Sequence, residues 1–310
     1  MNFIKKILLF FVPIKYIINK YNPIFLYHSL GIESNFNTNI DHVDLITLEK
    51  QLRYIQKYWK FVTIDEFVNA KNKKGLTSLT IDDGYKNIIE EALIIFEKLE
   101  IPITIFINSS TLKGEIFWRD KIRYLIENKL IKKFVSNSKL FNEKDINNFY
   151  YISKNSKFNS KQIEIELNEF FLKENISLNK NHKLCFDDKK YLIKHPLITY
   201  GNHTASHYFL SSLNKEEQYK DILECKNFLE SFDVNRSNVF CVPFGGLNSF
   251  NEDTVNILKN LNYKTLLLTE NKLNNFKDKH IFYRIMPSNF DIKNLLKKIY
   301  LKQIIFNKKY

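Results

Sequence analysis

Short apolar runs alternate along the chain with longer stretches in which apolar residues recur every three or four positions. The runs are PIFLYHS (23–29), SLTID (78–82), PITIFIN (102–108), PLITYGNH (196–203), NVFCVPFGG (238–246), YKTLLLTE (263–270) and HIFYRIM (280–286). Unbroken apolar runs of this length suit strands buried on both faces, as in a parallel sheet. Between them, DLITLEKQLRYIQKYW (44–59) places Leu45, Leu48, Leu52 and Ile55 on one helical face, with Thr47 as a candidate cap. FVTIDEF predicts a short strand and then a helix from about Asp65. YKNIIEEALIIFEKLE (85–100), NKEEQYKDILECKNFLES (214–231), EDTVNILKNLN (252–262) and DIKNLLKKIYLKQII (291–305) predict further helices. Strand-then-helix alternation of this kind predicts an α/β fold, either a barrel or a doubly wound sheet.

The rhythm breaks between about residues 114 and 195. There FWRDKIRYLIENKLIKKF and the Asn/Lys-rich stretch SKNSKFNSKQIEIELNEFFLKENISLNKNHK read as a mainly helical insertion between core strands. With no internal repeat and no Gly/Ser/Pro linker, one elaborated domain over residues 23–310 is expected, preceded by a segment of its own at 1–22. That segment has an uncharged run from Ile7 to Ile14, too short to span a bilayer. It shows no small-residue cleavage site, and Pro13 interrupts a helix there. Two readings of it stand side by side. Residues 1–20, with Lys5, Lys6, Lys15 and Lys20, form an interfacial segment on a membrane surface, or they cover the bottom of a barrel.

Composition changes this picture little. Of 310 residues 44% are hydrophobic and 26% charged, ordinary for a globular protein. The net charge of +13 comes from 47 basic and 34 acidic residues, but the lysines are spread along the whole chain. No basic cluster interleaved with aromatics appears, so nucleic acid is not an expected partner. Cys185, Cys225 and Cys241 are odd in number and lack metal or disulfide spacing. A reducing compartment is therefore expected: the cytoplasm, at the inner face of the membrane if the 1–20 segment is interfacial.

The chemistry concentrates at strand ends. Asp82 and Asp83 stand together before Gly84 in LTIDDG, where two like charges need a cation between them. His203 and His207 follow another predicted strand. Four residues apart, on a helical turn, they would grip one ion from one side. Strands of a parallel barrel gather their ends at one face, which would bring the two motifs together. Two histidines and a carboxylate suit zinc or a similar divalent ion with an open position for water. One aspartate would then bind the metal while its neighbour accepts a proton from that water. The loop FCVPFGG (240–246) offers backbone N–H groups to an oxyanion, or is a plain β-turn.

TIDDG, HTASH and VPFGG, in this order, resemble the first three motifs of the polysaccharide deacetylases with NodB homology (carbohydrate esterase family 4). The resemblance runs from about Pro23 to Arg284, includes FLYHSL, FVTIDEF and YRI, and is nearest the surface-polysaccharide biosynthesis branch. It implies a deformed (β/α) barrel that removes acetyl groups from N-acetylated sugars with one divalent metal ion, zinc, cobalt or another. By the motif match Asp82 would be the general base, and Asp83, His203 and His207 the metal ligands. The backbone N–H of Phe244 would be the oxyanion donor, a place usually held by tyrosine. Pro243, Gly245, His28, Trp118 and Arg284 are the expected substrate-binding residues. Two departures from the pattern matter. Many members carry an arginine just before the Pro-aromatic pair, orienting the aspartate base, and NVFCV has none. The usual last motif supplies a histidine as general acid, and FYRIMPSN has none; Arg236, Arg284 and His280 lie near these segments, with His280 the candidate acid. An O-acetyl esterase or other amidase using the same metal site, and a barrel that binds glycan without turnover, are the alternatives to N-deacetylation.

Overall fold

A computed structural model describes residues 13–31, 40–178, 182–275 and 279–307. Eight strands make one parallel sheet: β1 (Ile24–Tyr27), β2 (Lys60–Phe61), β3 (Leu76–Ile81), β4 (Ile103–Ile107), β5 (Ile198–Asn202), β6 (Arg236–Cys241), β7 (Thr265–Leu268) and β8 (Ile281–Tyr283). They run in the order β8-β7-β6-β5-β4-β3-β1, with β2 beside the first half of β3. The sheet curls until its edges meet. Ile285, just past β8, bonds both ways with β1: Leu26 N–H donates to its carbonyl and its own N–H donates to that of Ile24. The result is a nearly closed, deformed (β/α) barrel. Every residue of β1 and β4 is buried, as their unbroken apolar sequences predict.

Helices α1 (Ile14–Lys20), α2 (Leu45–Gln56), α3 (Ile64–Asn69), α4 (Leu93–Leu99), α5 (Trp118–Glu127), α6 (Phe149–Ile152), α7 (Ser160–Lys173), α8 (Lys215–Glu230), α9 (Glu252–Asn260) and α10 (Ile292–Asn307) complete the fold. The cap of α2 is Asp44, whose carboxylate accepts from Thr47 N–H at 2.9 Å; Thr47 itself lies inside the first turn. Thr63 and Glu66 close a reciprocal capping box at the start of α3, which fixes that helix one residue ahead of the expected position. Residues 118–134, one helical pattern in sequence, split after Glu127, because Lys129 takes a left-handed conformation (φ 57°). Helices α5, α6 and α7 all lie between β4 and β5.

Of the segment expected at 1–22, residues 1–12 lie outside the described residues. The rest forms α1, with Ile17 fully buried and Tyr16 edge-on to Tyr300 of α10 at 5.6 Å, and then a two-residue strand, Tyr21–Asn22, antiparallel to Asn274–Asn275. Among the described residues no helix is long and apolar enough to cross a membrane.

Gly201 in β5 shows how tightly the barrel interior is filled: a Cβ there would overlap the ring of Phe106, itself fully buried in β4. Gly201→Ala should therefore destabilise the fold by about 1–3 kcal/mol, read as a lower denaturant midpoint with an unchanged slope.

Candidate active site

The C-terminal ends of β3, β5 and β6 deliver the predicted motifs to one place. Asp82 and Asp83 follow β3 directly, and Asp83 turns left-handed at φ 69° with Gly84 at φ 64°. That turn sends the two carboxylates apart. Asp82 faces Arg284: Nη1 donates to Oδ1 at 2.6 Å and Nη2 to Oδ2 at 2.7 Å. Asp83 faces the histidines, its Oδ1 lying 3.6 Å from His203 Nε2 and 3.4 Å from His207 Nε2.

His203 and His207 sit on an irregular loop after β5, not on the helical turn that their spacing suggested. The loop bends through Thr204 (φ 66°) and His207 itself (φ 56°), bringing the imidazole centroids to 4.8 Å. Side chains packed behind the loop hold it there. Trp118 Nε1 donates to the His207 carbonyl at 3.2 Å, and the Phe244 ring packs on His207 at 4.7 Å. Phe244 is also left-handed (φ 62°). Non-glycine residues pay for such conformations, and four of them converging on one spot is the pattern of a site rather than of a scaffold.

The electrostatics separate the two aspartates. Burial pushes the Asp82 carboxyl up, but Arg284 and then His203 outweigh it and hold it below the usual range. Arg284 is fully buried, lies just past β8 and also donates to Thr269 Oγ1 at 3.0 Å. Cys241 stands where the resemblance leads one to expect the orienting arginine. Its thiol, pushed well up by burial, keeps its proton and offers it to Asp82 at 3.5 Å. Arg236, the other candidate, is exposed at the start of β6 and donates to the Phe232 carbonyl.

Two sets of residues have the spacing to hold a cation: Asp83, His203 and His207, and Asp82, His203 and Cys241. Only the first fits. Both oxygens of Asp82 are taken by Arg284, and Cys241 is a protonated thiol. Asp83 Oδ1 has no hydrogen-bond partner among the described residues. His203 Nδ1 lies 2.9 Å from the Cys241 carbonyl, which fixes the proton there and leaves Nε2 free as an acceptor. Burial, then His203, push the pKa of His207 well below its ordinary value, which favours the neutral imidazole. Tetrahedral ligands about 2.1 Å from an ion lie about 3.4 Å apart, close to the separations found.

The site opens into a cavity of about 490 Å³ lined by His28, Asp82, Asp83, His203, His207 and Phe244, among others. Among the described residues no acceptor takes the backbone N–H of Phe244, which lines this cavity, a state suited to receiving an oxyanion. His28 Nδ1 is likewise unpartnered. The other expected contacts fall behind the cavity wall. Trp118 and Arg284 support His207 and Asp82 from the back, and Pro243 is buried in the turn before Phe244. Gly245 (φ 67°) is needed because a Cβ would run into Thr269. His280 is not part of the site. It is exposed, packs against the Lys264 carbonyl and precedes β8, whereas the site lies where the strands end. Proximity to Arg284 in sequence misleads there, because a three-residue strand separates the two ends of the barrel.

Residues 159–266 match the family model described as polysaccharide deacetylase; this stretch contains the histidine pair and Phe244 but not the aspartates. No curated protein sequence matches the chain. Among solved structures, the deacetylase PplD of Streptococcus pyogenes in complex with acetate aligns with a TM-score of 0.54 at 16% identity, over 90% of this chain and 97% of that one. A de-N-acetylase from Aggregatibacter actinomycetemcomitans aligns at 0.54 and 14% identity, over 88% and 99%. IcaB from Ammonifex degensii aligns at 0.52 and 14%, over 92% and 97%. Over residues 159–266 the chain is thus similar to the polysaccharide deacetylase family, and over most of its length it shares the barrel fold of these solved deacetylases.

Proposed function

We propose that the protein hydrolyses the acetamide of an N-acetylated sugar in a surface polysaccharide or its precursor, releasing acetate and a free amine. The observation that carries this reading is the division of labour between two adjacent carboxylates, one locked to Arg284 and one facing two histidines across an open cavity. Asp83, His203 and His207 would hold a divalent ion, with zinc favoured by two imidazoles and one carboxylate. When bound, such an ion supplies Lewis acidity toward a water and toward the acetyl carbonyl.

The chain's own groups do the rest. Asp82, ionised throughout the neutral range and fixed by its two bonds to Arg284, accepts a proton from the attacking water. The Phe244 N–H donates to the carbonyl oxygen as negative charge develops on it. An amine leaves only after protonation. His28 Nδ1, unpartnered on the same cavity wall, takes this role in the reading, in place of His280.

Zinc binding to metal-stripped protein, measured by calorimetry, tests the reading without a guess at the glycan. One tight site should appear and be abolished in His203→Ala/His207→Ala; a folded wild type without it removes the metal-dependent reaction. Asp82→Asn should keep zinc and lose at least 100-fold in acetate release. Arg284→Gln leaves a buried carboxylate without its cation, which should cost about 3–5 kcal/mol of stability. Because the largest charge opposing burial at Asp82 is then gone, its carboxyl rises, and the acid limb of the rate profile should move to higher pH. His28→Gln should slow amide hydrolysis by about 100-fold or more yet spare an activated aryl acetate, whose leaving group needs no proton. Equal losses on both substrates would remove His28 as the acid.

A further inference from the structure

The helices between β4 and β5 put three cations on one wall of the active-site cavity: Arg119 and Arg123 from α5, and Lys154 just after α6. Arg119 is 2% exposed and Arg123 6%. Arg119 Nη1 donates to Ser153 Oγ at 2.9 Å and Nη2 to the Tyr150 carbonyl at 3.1 Å, while its guanidinium lies 4.7 Å from the rings of both Trp118 and Tyr150. These are neutral partners. Among the described residues no carboxylate lies within ion-pair distance of Arg119 or of Lys154, whose Nζ donates to the Tyr150 hydroxyl at 2.8 Å. Asp120 pairs with Arg123, and Nε of both arginines is buried without a partner.

Among the described residues, three cations therefore share one carboxylate. The other acids on the cavity, Asp41, Asp82 and Asp83, make no ion pair with the three; Asp82 is taken by Arg284 and Asp83 faces the histidines. A buried guanidinium without a counter-charge is costly to keep, so something in the working complex must neutralise it. The neighbours respond to that unbalanced field. Burial, then Arg119, lower the Lys154 ammonium to about 8. Burial resists ionisation of the Tyr150 phenol, yet Arg123, Arg119 and Lys154 together pull it down to about 7.

We propose that Arg119, Arg123 and Lys154 form a subsite for an acidic oxyanion group, carboxylate or phosphate, so that the substrate is an anionic acetylated glycan and not a neutral one. A planar fork from each arginine matches two oxygens of such a group, and the lysine adds a point charge at the half-buried rim. The two sources differ in where the charge sits: a uronic acid carries it within the glycan, a sugar phosphate or diphosphate at the glycan's linked end. This inference deepens the deacetylase reading and rests on it for the acetyl group, but not for anion binding.

Calorimetric titration of the full-length protein with glucuronate and, separately, with inorganic phosphate tests the subsite directly. At least one should bind at a single site, and Arg119→Gln and Lys154→Met should each weaken it tenfold or more without changing zinc affinity. At pH 8 the bound anion should also lower the tyrosinate absorbance near 295 nm, a change absent in Tyr150→Phe. Lys154 is half-buried, so its variant decides the matter even if Arg119→Gln does not fold. Binding of neither anion, or binding unaltered in folded Lys154→Met, overturns the subsite. Acetate release then separates the sources. N-acetylated oligosaccharides bearing a uronic acid or a terminal phosphate should exceed the neutral one at least tenfold in kcat/KM, through KM, and the preferred one names the charge. Variant-sensitive anion binding with no acetate release from any of them would leave the subsite standing and remove the deacetylase. Preference for the neutral glycan would do the reverse.

Discussion

A carboxylate with 3% of its surface exposed stays ionised only if a cation is brought to it, and in this barrel that cation is Arg284. The pair joins the two edges of the sheet. Asp82 ends β3, which is hydrogen-bonded to β1, and Arg284 lies beside Ile285, whose backbone bonds to β1 from the other side. Closure of the barrel and ionisation of the proposed base are thus one event. Neither charge would be tolerable in place without the other, and each is further satisfied by neighbours, Thr80 and Thr269 for the arginine and Cys241 for the aspartate.

Much of this was legible in the sequence. Parallel strands buried on both faces leave continuous apolar runs, and each run assigned from the sequence has a strand within it. The acidic pair and the histidine pair were also visible, because few other purposes explain such residues at strand ends. What the sequence hid was direction and distance. The His203–His207 spacing is compatible with a helical turn, yet left-handed residues at Thr204 and His207 do the converging. His280 stands four residues from Arg284, but at the wrong end of β8. Cys241 in place of an arginine, together with the lone arginine of YRI, was the available sign that the counter-charge had moved. Only the fold shows that the new partner reaches across 202 residues.

The inserted helices were the least readable part. Its sequence reads only as a mainly helical insertion, and nothing in that pattern shows that Arg119, Asp120, Lys121 and Arg123 are all buried. Lys121 is paired with Glu164 and Arg123 with Asp120, but Arg119 has only neutral partners among the described residues, and removal from water costs such a cation several kcal/mol. The insertion thus lines one wall of the cavity, and the barrel, a fold shared with solved structures of 14–16% identity, carries the strand ends that hold Asp82, Asp83 and the histidine pair.

The bond between Asp82 and Arg284 also has a meaning in time. A ribosome releases this chain from its N-terminus, so Asp82, Asp83 and the histidine pair all emerge before the arginine does. Until residues 284 and 285 appear, the first strand has no neighbour on its open side and Asp82 carries an unanswered charge. The nascent barrel must wait, open at that seam, until those two residues emerge. A message cut short before that point would encode every proposed metal ligand and still yield no closed barrel to hold them.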